Sequence, residues 1–402
     1  MPASRPPEAT PFELRLHAAM AWVQRAERRF EPFFRPALNA ILREPSARLT
    51  EWLINRRRPD MGLGLAEECL LPGEAEALDS MIASIAAYMH KQYTPGTYER
   101  GGNTKTHGIV RAEFLVRDDI PAHMRHGIFA NPATYRAWVR FSGPGPDLPA
   151  DIDDVGFLSC AIKLMGVPGP KLMDDEHHTQ DLIAVCTPAF VTPNILVNAD
   201  LQQEILRYTP AFYFFRPGAT HLLDLIMQSW WNQTQTSPLE TQYWSCVPYL
   251  LGEGQAMQYS FRTRLKTRSR IPRLPFRPPD NYLRDNMAAT LARRDVEFDI
   301  LVQVQTDPHR MPIEDNSVRW PASLSPWVPV ATLHIPRQEF DSPKQLAFAH
   351  NLSYNPWHSL PEHRPLGNQG RARLRMYAEL SRLRQSMNQT PHIEPTGDER
   401  FD

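Results

Sequence analysis

The sequence predicts an α+β protein in which helices come first, an antiparallel strand set follows, and one more helix closes the chain. Helical periodicity dominates the first 94 residues, whereas strand-like runs begin after Pro95 and continue to Ile335. The 39 prolines against 19 glycines indicate long, stiff connections between short elements. Such a strand set can close into a barrel with its helices outside.

The N-terminal segment, residues 1–94, is predicted to be a helical extension. Between Phe12 and Phe30, apolar residues recur at steps of three and four, which is typical of an amphipathic helix. Pro32 and Pro36 are expected to interrupt it. Further helices are expected over about 37–55 and 74–92. Two interpretations stay open: the extension packs on the main domain with its arginines solvated, or it forms a basic amphipathic element on a membrane or an acidic partner.

The main domain, residues 95–387, contains the strand-like runs. They are β-rich segments bounded by turn residues, at 108–116, 136–141, 156–164, 182–186, 255–265, 297–304 and 330–335. Helices are expected at about 193–208, 219–231, 281–294 and 368–387. Residues 388–402 are expected to form a disordered tail.

Bulk composition argues against several classes of protein. A net charge of −1, from 44 basic and 45 acidic residues, gives no sign of a nucleic-acid partner. No apolar run is long enough for a signal peptide or a membrane span. The four cysteines form no CxxC pair and no zinc-ligand spacing, which is typical of reduced cysteines in a cytoplasmic protein.

The closing helix carries the spacing R-x3-Y-x6-R at Arg373, Tyr377 and Arg384. Residues four and seven apart share one helical face, so both guanidinium groups are expected on the side of the Tyr377 phenol. A neighbouring cation favours the phenolate, and a phenolate is a ligand suited to ferric iron. By itself, the spacing is common and is more typical of an arginine-rich surface helix that turns one aromatic residue inward.

Other motifs precede this helix. His107 stands at the start of a strand, where an imidazole can point into an enclosed site, and Gly108 would leave room for a flat ligand. Three apolar motifs follow, VRFS at 139–142, GFLSCAIK at 156–163 and DLIAVCTPAF at 181–190. The acidic run with two histidines at 174–178 is compatible with a divalent metal site or with a solvated polar loop.

In this order the motifs resemble those of the catalase superfamily, over roughly residues 97–384. The resemblance implies a catalase-like antiparallel β-barrel with surrounding helices and a bound haem b. It assigns Tyr377 as the proximal iron ligand, Arg373 as the arginine beside its phenolate, and His107 as the distal acid/base. The remaining assignments are Arg140 and Arg384 to the haem propionates, Phe141 and Ser142 to positions beside the porphyrin and the distal histidine, and Thr106 to the Thr-His pair of catalase-related allene oxide synthases.

Departures from the superfamily pattern concentrate near the distal side. The distal asparagine of catalases falls at Val185, next to Cys186, and neither side chain can orient a peroxide as an amide does. The arginine usually found three residues before the distal histidine is Thr104 here, with Lys105 beside it as a substitute. Residues 378–381 replace the short aspartate-threonine-histidine run that normally follows the ligand tyrosine.

The sequence therefore predicts a haem-dependent enzyme that acts on peroxides, with an organic, fatty-acid hydroperoxide favoured as substrate. Hydrogen peroxide catalase or peroxidase activity, and haem binding without turnover, stay as alternatives. The expected assembly is a monomer or dimer, because the arms through which catalases form tetramers are not recognisable. Peripheral membrane contact through the N-terminal helices would suit a lipid substrate.

Overall fold

The computed structural model describes residues 8–216, 218 and 220–401, and its centre is one antiparallel sheet. Its nine strands are β1 (Thr106–Val116), β2 (Thr134–Ser142), β3 (Ser159–Met165), β4 (Thr179–Val185), β5 (Tyr243–Trp244), β6 (Tyr249–Leu250), β7 (Ala256–Thr263), β8 (Val296–Val304) and β9 (Val328–Ile335). Eight of them close into a ring, because β5 pairs with both β4 and β7 while β9 pairs with β1; β6 pairs with β7 outside the ring. The predicted barrel is confirmed.

Helices surround the ring. They are α1 (Pro11–Leu38), α2 (Glu44–Arg57), α3 (Glu74–Gln92), α4 (Ile195–Leu206), α5 (Phe212–Phe215), α6 (Leu222–Ser229), α7 (Tyr282–Leu291), α8 (Pro343–Asn351) and α9 (Gly367–Asn388). The predicted N-terminal helical segment is confirmed as well. Across the described parts of the chain, no helix is long and apolar enough to cross a membrane.

The barrel wall has an apolar side chain layer on both of its faces. Alternate residues along each strand point inward, and those such as Phe114, Val139 and Phe298 fill the barrel core. The residues between them point outward. On β1 to β4 these are packed into a second cluster, here called the outer cluster, formed by Ile109, Trp138, Ala161, Met165, Ile183, Ala349, Leu352 and Tyr354. The outer cluster ties α8 and the loop before α9 to the barrel wall.

α1 does not end at its prolines, contrary to the prediction. It runs through Pro32 and Pro36 and continues across a π-helical turn, Asn39–Arg43, into α2. A proline at position 32 cannot donate to the carbonyl oxygen of Arg28, four residues earlier. In this protein the Thr234 hydroxyl donates to that oxygen instead, at 2.7 Å. A tertiary hydrogen bond thus replaces the bond that the proline removes.

α1 also docks with the opposite side from the one its apolar pattern suggests. Arg28 and Arg35 are buried, and the Arg35 guanidinium donates to the Asn232 carbonyl oxygen at 3.2 Å. The Arg28 guanidinium donates to the Asn232 side chain, and it fits because Gly156 has no Cβ to fill that space. The expectation that the arginines of this helix are all solvated is therefore wrong for two of them, and the apolar stripe faces outward.

The segment after α9, expected to form a disordered tail over 388–402, is placed against the outside of the barrel as far as Phe401. The Trp138 indole N–H donates to Glu399 Oε2 at 2.8 Å, and the rings of Trp138 and Phe401 lie 5.7 Å apart. Phe401 also packs against Phe348 of α8, with ring centroids 5.2 Å apart. An aromatic anchor and a carboxylate therefore hold this segment, although it contains no helix or strand.

Candidate active site

α9 is fixed at its first turn, which sets the position of every side chain that follows. The Asn368 backbone and side chain both donate to Glu314 Oε2, at 2.7 and 2.8 Å. Gly367 adopts a left-handed φ of 75°, and a Cβ there would collide with the Ile313 carbonyl. The Trp357 indole donates to the Gly370 carbonyl oxygen at 2.8 Å. These contacts fix both the rotation of α9 about its axis and its position along the barrel.

Arg373 and Tyr377 lie next to each other on α9. Tyr377 packs against the outer cluster, and Arg373 is buried with its Nη1 nitrogen lacking a hydrogen-bond partner in the described structure. Burial opposes the charge of Arg373, yet the neighbouring phenols of Tyr377 and Tyr249 hold the pKa of its guanidinium above the ordinary value. The Arg373 cation also lies 5.8 Å from the centre of the Phe190 ring. A positive charge therefore faces the Tyr377 phenol in a water-poor setting.

Arg140 and Arg384 come together where α9 faces the start of β1, and Arg100 joins them. Arg140 donates to the Thr106 hydroxyl at 2.8 Å and to the Asn103 carbonyl oxygen at 2.8 Å. Arg384 donates to the carbonyl oxygens of residues 350 and 351, and Arg100 to those of residues 349 and 352. We call these three side chains the arginine trio. Their hydrogen bonds all go to uncharged groups.

The arginine trio is short of negative charge. Burial, and next the charge of Arg100, hold the pKa values of Arg140 and Arg384 well below the ordinary value. The nearest acid, Glu99, has its own partner in His350, at 3.2 Å. Arg100 Nη1 is buried without a hydrogen-bond partner among the residues that the structure describes. Three guanidinium groups crowded in this way favour binding of an anion with more than one carboxylate or phosphate group.

His107 lies beyond the trio, in a bulge of β1 opposite the end of β2. Its ring is buried, with Nδ1 3.7 Å from Asp151 Oδ1 and Nε2 without a hydrogen-bond partner among the described residues. Burial, and next the charge of Lys105, hold the pKa of His107 well below the ordinary value. The imidazole is therefore neutral at neutral pH, with one ring nitrogen available to exchange a proton.

Acidic and basic groups surround this histidine, and of these the sequence analysis had singled out Lys105 but neither Asp151 nor Asp154. The Lys105 ammonium lies 2.7 Å from Asp151 Oδ1, so this carboxylate joins Lys105 to His107. Burial raises the pKa of Asp154 to about 6. A side chain on Gly143 would collide with the Asp154 carboxylate and lie 3.7 Å from His107 Nε2. In the sequence, the signal for these carboxylates was the DIDD run at 151–154, but its spacing does not indicate which residues it contacts.

The other predicted site residues divide between the two faces of the barrel wall. Thr106 accepts hydrogen bonds from Arg140, and Ser142 lies opposite Thr106 in the strand register. Phe141 follows Arg140 in β2 and points to the other face, into the barrel core, 6.1 Å from the Tyr243 ring. The prediction that Phe141 lies beside the same ligand as Arg140 therefore differs from the structure, because strand alternation separates them.

Two further expectations near this site change as well. Gly108 does not leave a gap for a flat ligand, since a Cβ there would collide with Phe340 and Met287. Val185 ends β4 and is partly exposed, and it supplies only hydrocarbon. The neighbouring Cys186 sulfur already accepts a hydrogen bond from the Leu158 backbone N–H, at 2.9 Å. Neither position 185 nor 186 thus offers a free polar group.

A buried ionic cluster lies on the far side of Tyr354. The Lys163 ammonium sits among Glu176, Asp181 and His358, with Asp181 Oδ1 at 2.8 Å. These three acidic and imidazole groups have the geometry of a metal site, but the lysine occupies their centre. Glu176 turns inward rather than joining the two histidines of the 174–178 run, so that run as a whole does not form the metal site considered from sequence.

The groups present fit a haem in type. Tyr377 with Arg373 is a suitable anionic ligand pair, the trio suits two carboxylates, and His107 keeps a free nitrogen. The free space beside Tyr377 is smaller than a haem requires. The cavity that Tyr377 borders, together with Tyr354, His358 and others, measures about 120 Å³, room for about four water molecules. A macrocycle would therefore have to part α9 from the outer cluster.

Comparison with known proteins identifies the fold. No protein-family profile matches the sequence, and no curated protein matches it. Several solved structures do match. A bacterial catalase superposes with a TM-score of 0.55 at 15% identity, over 84% of this chain and 67% of its own. A fungal catalase gives 0.52 at 17% identity (86% and 70%), and catalase A from Saccharomyces cerevisiae gives 0.51 at 15% identity (86% and 72%).

Proposed function

Since this chain has the fold of the catalases, we propose that it is a haem-dependent enzyme acting on peroxides, with Tyr377 as the iron ligand and His107 as the acid/base group. The arginine trio carries the proposal. These are three crowded cations whose hydrogen bonds in the described structure go to uncharged groups. Beside a tyrosine-arginine pair, they suit a ligand that brings two propionates. The trio contains Arg100, to which we assign the role of the arginine that the family resemblance aligns with Thr104 and for which Lys105 was the expected substitute.

A bound ferric haem would supply cleavage of the peroxide O–O bond. The residues of this chain do the rest. Arg373 stabilises the Tyr377 phenolate, since its buried charge has few other partners. Neutral His107 takes the proton of the incoming hydroperoxide at Nε2 and can return it to the departing oxygen. Asp151, which is paired with Lys105, lies 3.7 Å from Nδ1 and borders the imidazole on that side.

An organic hydroperoxide, such as that of a fatty acid, is the substrate we favour. Val185 supplies hydrocarbon at the position where catalases have an amide, and the Cys186 sulfur is already engaged. A wall of this kind suits an alkyl chain better than a second hydrogen peroxide molecule. The substrate preference therefore depends on the side chain at 185, and haem binding does not.

Visible spectra of the haem-reconstituted protein test the ligand. The wild type is expected to give a high-spin ferric band that is lost or displaced in Tyr377→Phe. Tyr354→Phe is the matched control, because Tyr354 lies in the same cluster with its hydroxyl unpartnered in the described structure. An unchanged spectrum in Tyr377→Phe would overturn the proposal.

Turnover assays with hydrogen peroxide and with a fatty-acid hydroperoxide test the substrate. We expect consumption of the lipid hydroperoxide, reduced about a hundredfold or more in His107→Gln with the haem spectrum retained. Rapid oxygen release from hydrogen peroxide without a donor would refute the organic preference. A coloured protein that consumes neither peroxide would be a haem-binding protein without turnover.

A further inference from the structure

α1 and α2 present an apolar surface to solvent. The exposed large hydrophobic side chains of this segment, here called the outer face, are Phe12, Leu14, Leu16, Trp22, Val23, Phe30, Phe33, Phe34, Ile41, Leu42, Leu49 and Trp52. They are half of all such side chains in the described structure, in about a tenth of the chain. Trp22 and Phe33 are 68% and 69% exposed. A surface this apolar marks an interaction site.

The outer face is not the side by which α1 packs on the barrel. α1 is already attached through its charged side, where Arg28, Glu31 and Arg35 are buried. Glu31 accepts from the Thr234 backbone N–H, and the two arginines donate to residues 229–232. Because the polar side faces protein, the orientation of the apolar side toward solvent is fixed.

Arginines border the outer face, and several of them keep an unpaired charge in the described part of the chain. Five exposed ones, Arg15, Arg25, Arg48, Arg56 and Arg57, form no ion pair with any described residue. Most glutamates of the segment are engaged elsewhere, such as Glu13 with Arg207 and Glu51 with Arg319. The Arg56 guanidinium lies 5.5 Å from the Trp52 ring centre, so cation and aromatic ring stand side by side.

We infer that the outer face docks on the surface of a lipid bilayer that contains anionic lipids. Exposed tryptophan and phenylalanine insert at the level of the headgroups, and arginines at their border pair with lipid phosphates. Self-association of this face is disfavoured, since a second copy would bring the same unneutralised arginines against the first. The helices lie along the bilayer, because the opposite side of α1 is bound to the barrel.

Docking in this way would turn the His107 side of the barrel toward the bilayer. The inner side of α1 carries Arg28, which lies close enough to Asp154 for the two charges to interact, and Asp154 approaches His107 across Gly143. For a fatty-acid hydroperoxide the path from the lipid surface would be short. This consequence alone depends on the proposed function; membrane docking does not.

Flotation with lipid vesicles tests the inference without haem or activity. Wild-type protein is expected to float with vesicles of phosphatidylcholine and phosphatidylglycerol in equal parts. Trp22→Ser/Phe33→Ser should reduce the bound fraction about tenfold or more, because two inserted aromatic side chains are lost. Arg56→Gln/Arg57→Gln should weaken binding to these vesicles and its dependence on salt. Leu70→Ser is the control, since Leu70 is similarly exposed outside the outer face.

Wild-type protein that stays at the bottom of the gradient would overturn the inference, whatever its enzymatic activity. Gel filtration then identifies the alternative. A dimer that the Trp22→Ser/Phe33→Ser variant converts to a monomer would make the outer face a self-association surface. Binding that survives in this variant as well as in Leu70→Ser would place the lipid contact elsewhere. Equal melting temperatures among the variants exclude misfolding as the cause.

Discussion

Arg373 is the residue on which the proposed role of Tyr377 as iron ligand depends. It is buried, its charge has few partners, and the Tyr377 phenol lies beside it. In the haem-loaded protein, Arg373→Leu should weaken or displace the ferric band of the tyrosinate-ligated haem, because the cation that favours the phenolate is gone. Visible spectra at neutral pH measure this. Arg375→Leu, two residues away and exposed, should leave the band unchanged, and identical spectra of Arg373→Leu and the wild type would contradict the assignment.

Under the proposed function, Val185 is the residue expected to separate this site from that of a hydrogen peroxide catalase. Its side chain is partly exposed and bears no polar atom, so an amide introduced there keeps access to solvent and is not a fully buried polar group. Val185→Asn should raise the ratio of hydrogen peroxide turnover to lipid hydroperoxide turnover by about tenfold, since the new amide can orient the smaller peroxide. Steady-state rates with both substrates measure the ratio. Val185→Leu serves as the control, and a ratio that falls in Val185→Asn would refute the role.

The position of a single residue was predictable from sequence where a periodic pattern determines both which residue lies next to it and which way its side chain points. Arg373 and Tyr377 lie together because positions four apart share a helix face. Phe141 was misplaced, although its strand was predicted, because two adjacent residues of a strand cannot face the same ligand. Arg100 and Asp151 were missed, since the loops that bring them to Arg140 and His107 follow no periodicity.

The elements of the barrel were the most predictable part, and the attachment of α1 was the least. Long strands such as β1 and β8 show their alternation in sequence, whereas β5 has two residues and no pattern to read. The periodicity of α1 was correctly seen, but periodicity does not say which side is docked. Which side docks depends on Asn232 and Thr234, which are distant in sequence.

Gly156 is the position at which the attachment of α1 can be tested. A Cβ there would occupy the space of the Arg28 guanidinium and the Gln233 carbonyl. Gly156→Ala should therefore displace Arg28 and expose α1 to protease, while the barrel core stays folded. Limited proteolysis, with near-UV circular dichroism of the product, measures this. Gly166→Ala is a weaker comparison, because nothing lies near its Cβ but its φ is positive; equal resistance of Gly156→Ala and wild type would contradict the contact.

At the scale of the whole molecule, stability is expected to fall in mild alkali. Burial and Lys163 lower the pKa of His358, but hydrogen bonds to Asp175 and Asp181 outweigh them and raise it to about 9. A group whose folded pKa exceeds its unfolded value near 6.5 stabilises the fold below 6.5 and loses this contribution as the pH rises through 9. The loss should be about 3 kcal/mol.

Urea unfolding between these two pH values measures the change in the free energy of unfolding. His358→Gln should flatten the dependence, because the titrating group is removed. The exposed His177→Gln should keep the wild-type slope. A steeper loss of stability in His358→Gln than in the wild type would show that another group of the Lys163 cluster titrates in this range.

Closure of the barrel is a property of the whole chain that periodicity did not prove. The ring closes through two residue pairs between β5 and β7, Tyr243 with Phe261 and Trp244 with Ser260. The closed barrel was predicted from the resemblance of five ordered motifs to those of a known superfamily. Motif order can identify a fold even when the sequence gives no sign of the contacts that close it. The resemblance could not predict the size of the free space beside Tyr377, because this depends on how the side chains of the outer cluster pack.

Because α1 docks through its charged side, its attachment depends on a small number of polar contacts. Its middle is held by a glycine at 156 that admits Arg28, an asparagine at 232, a threonine at 234 that replaces the hydrogen bond lost at Pro32, and an ion pair between Arg29 and Asp153. These partners all lie in the connections between strands of the barrel. The segment could therefore be exchanged for another by changing residues of these connections, without altering the strands beneath it.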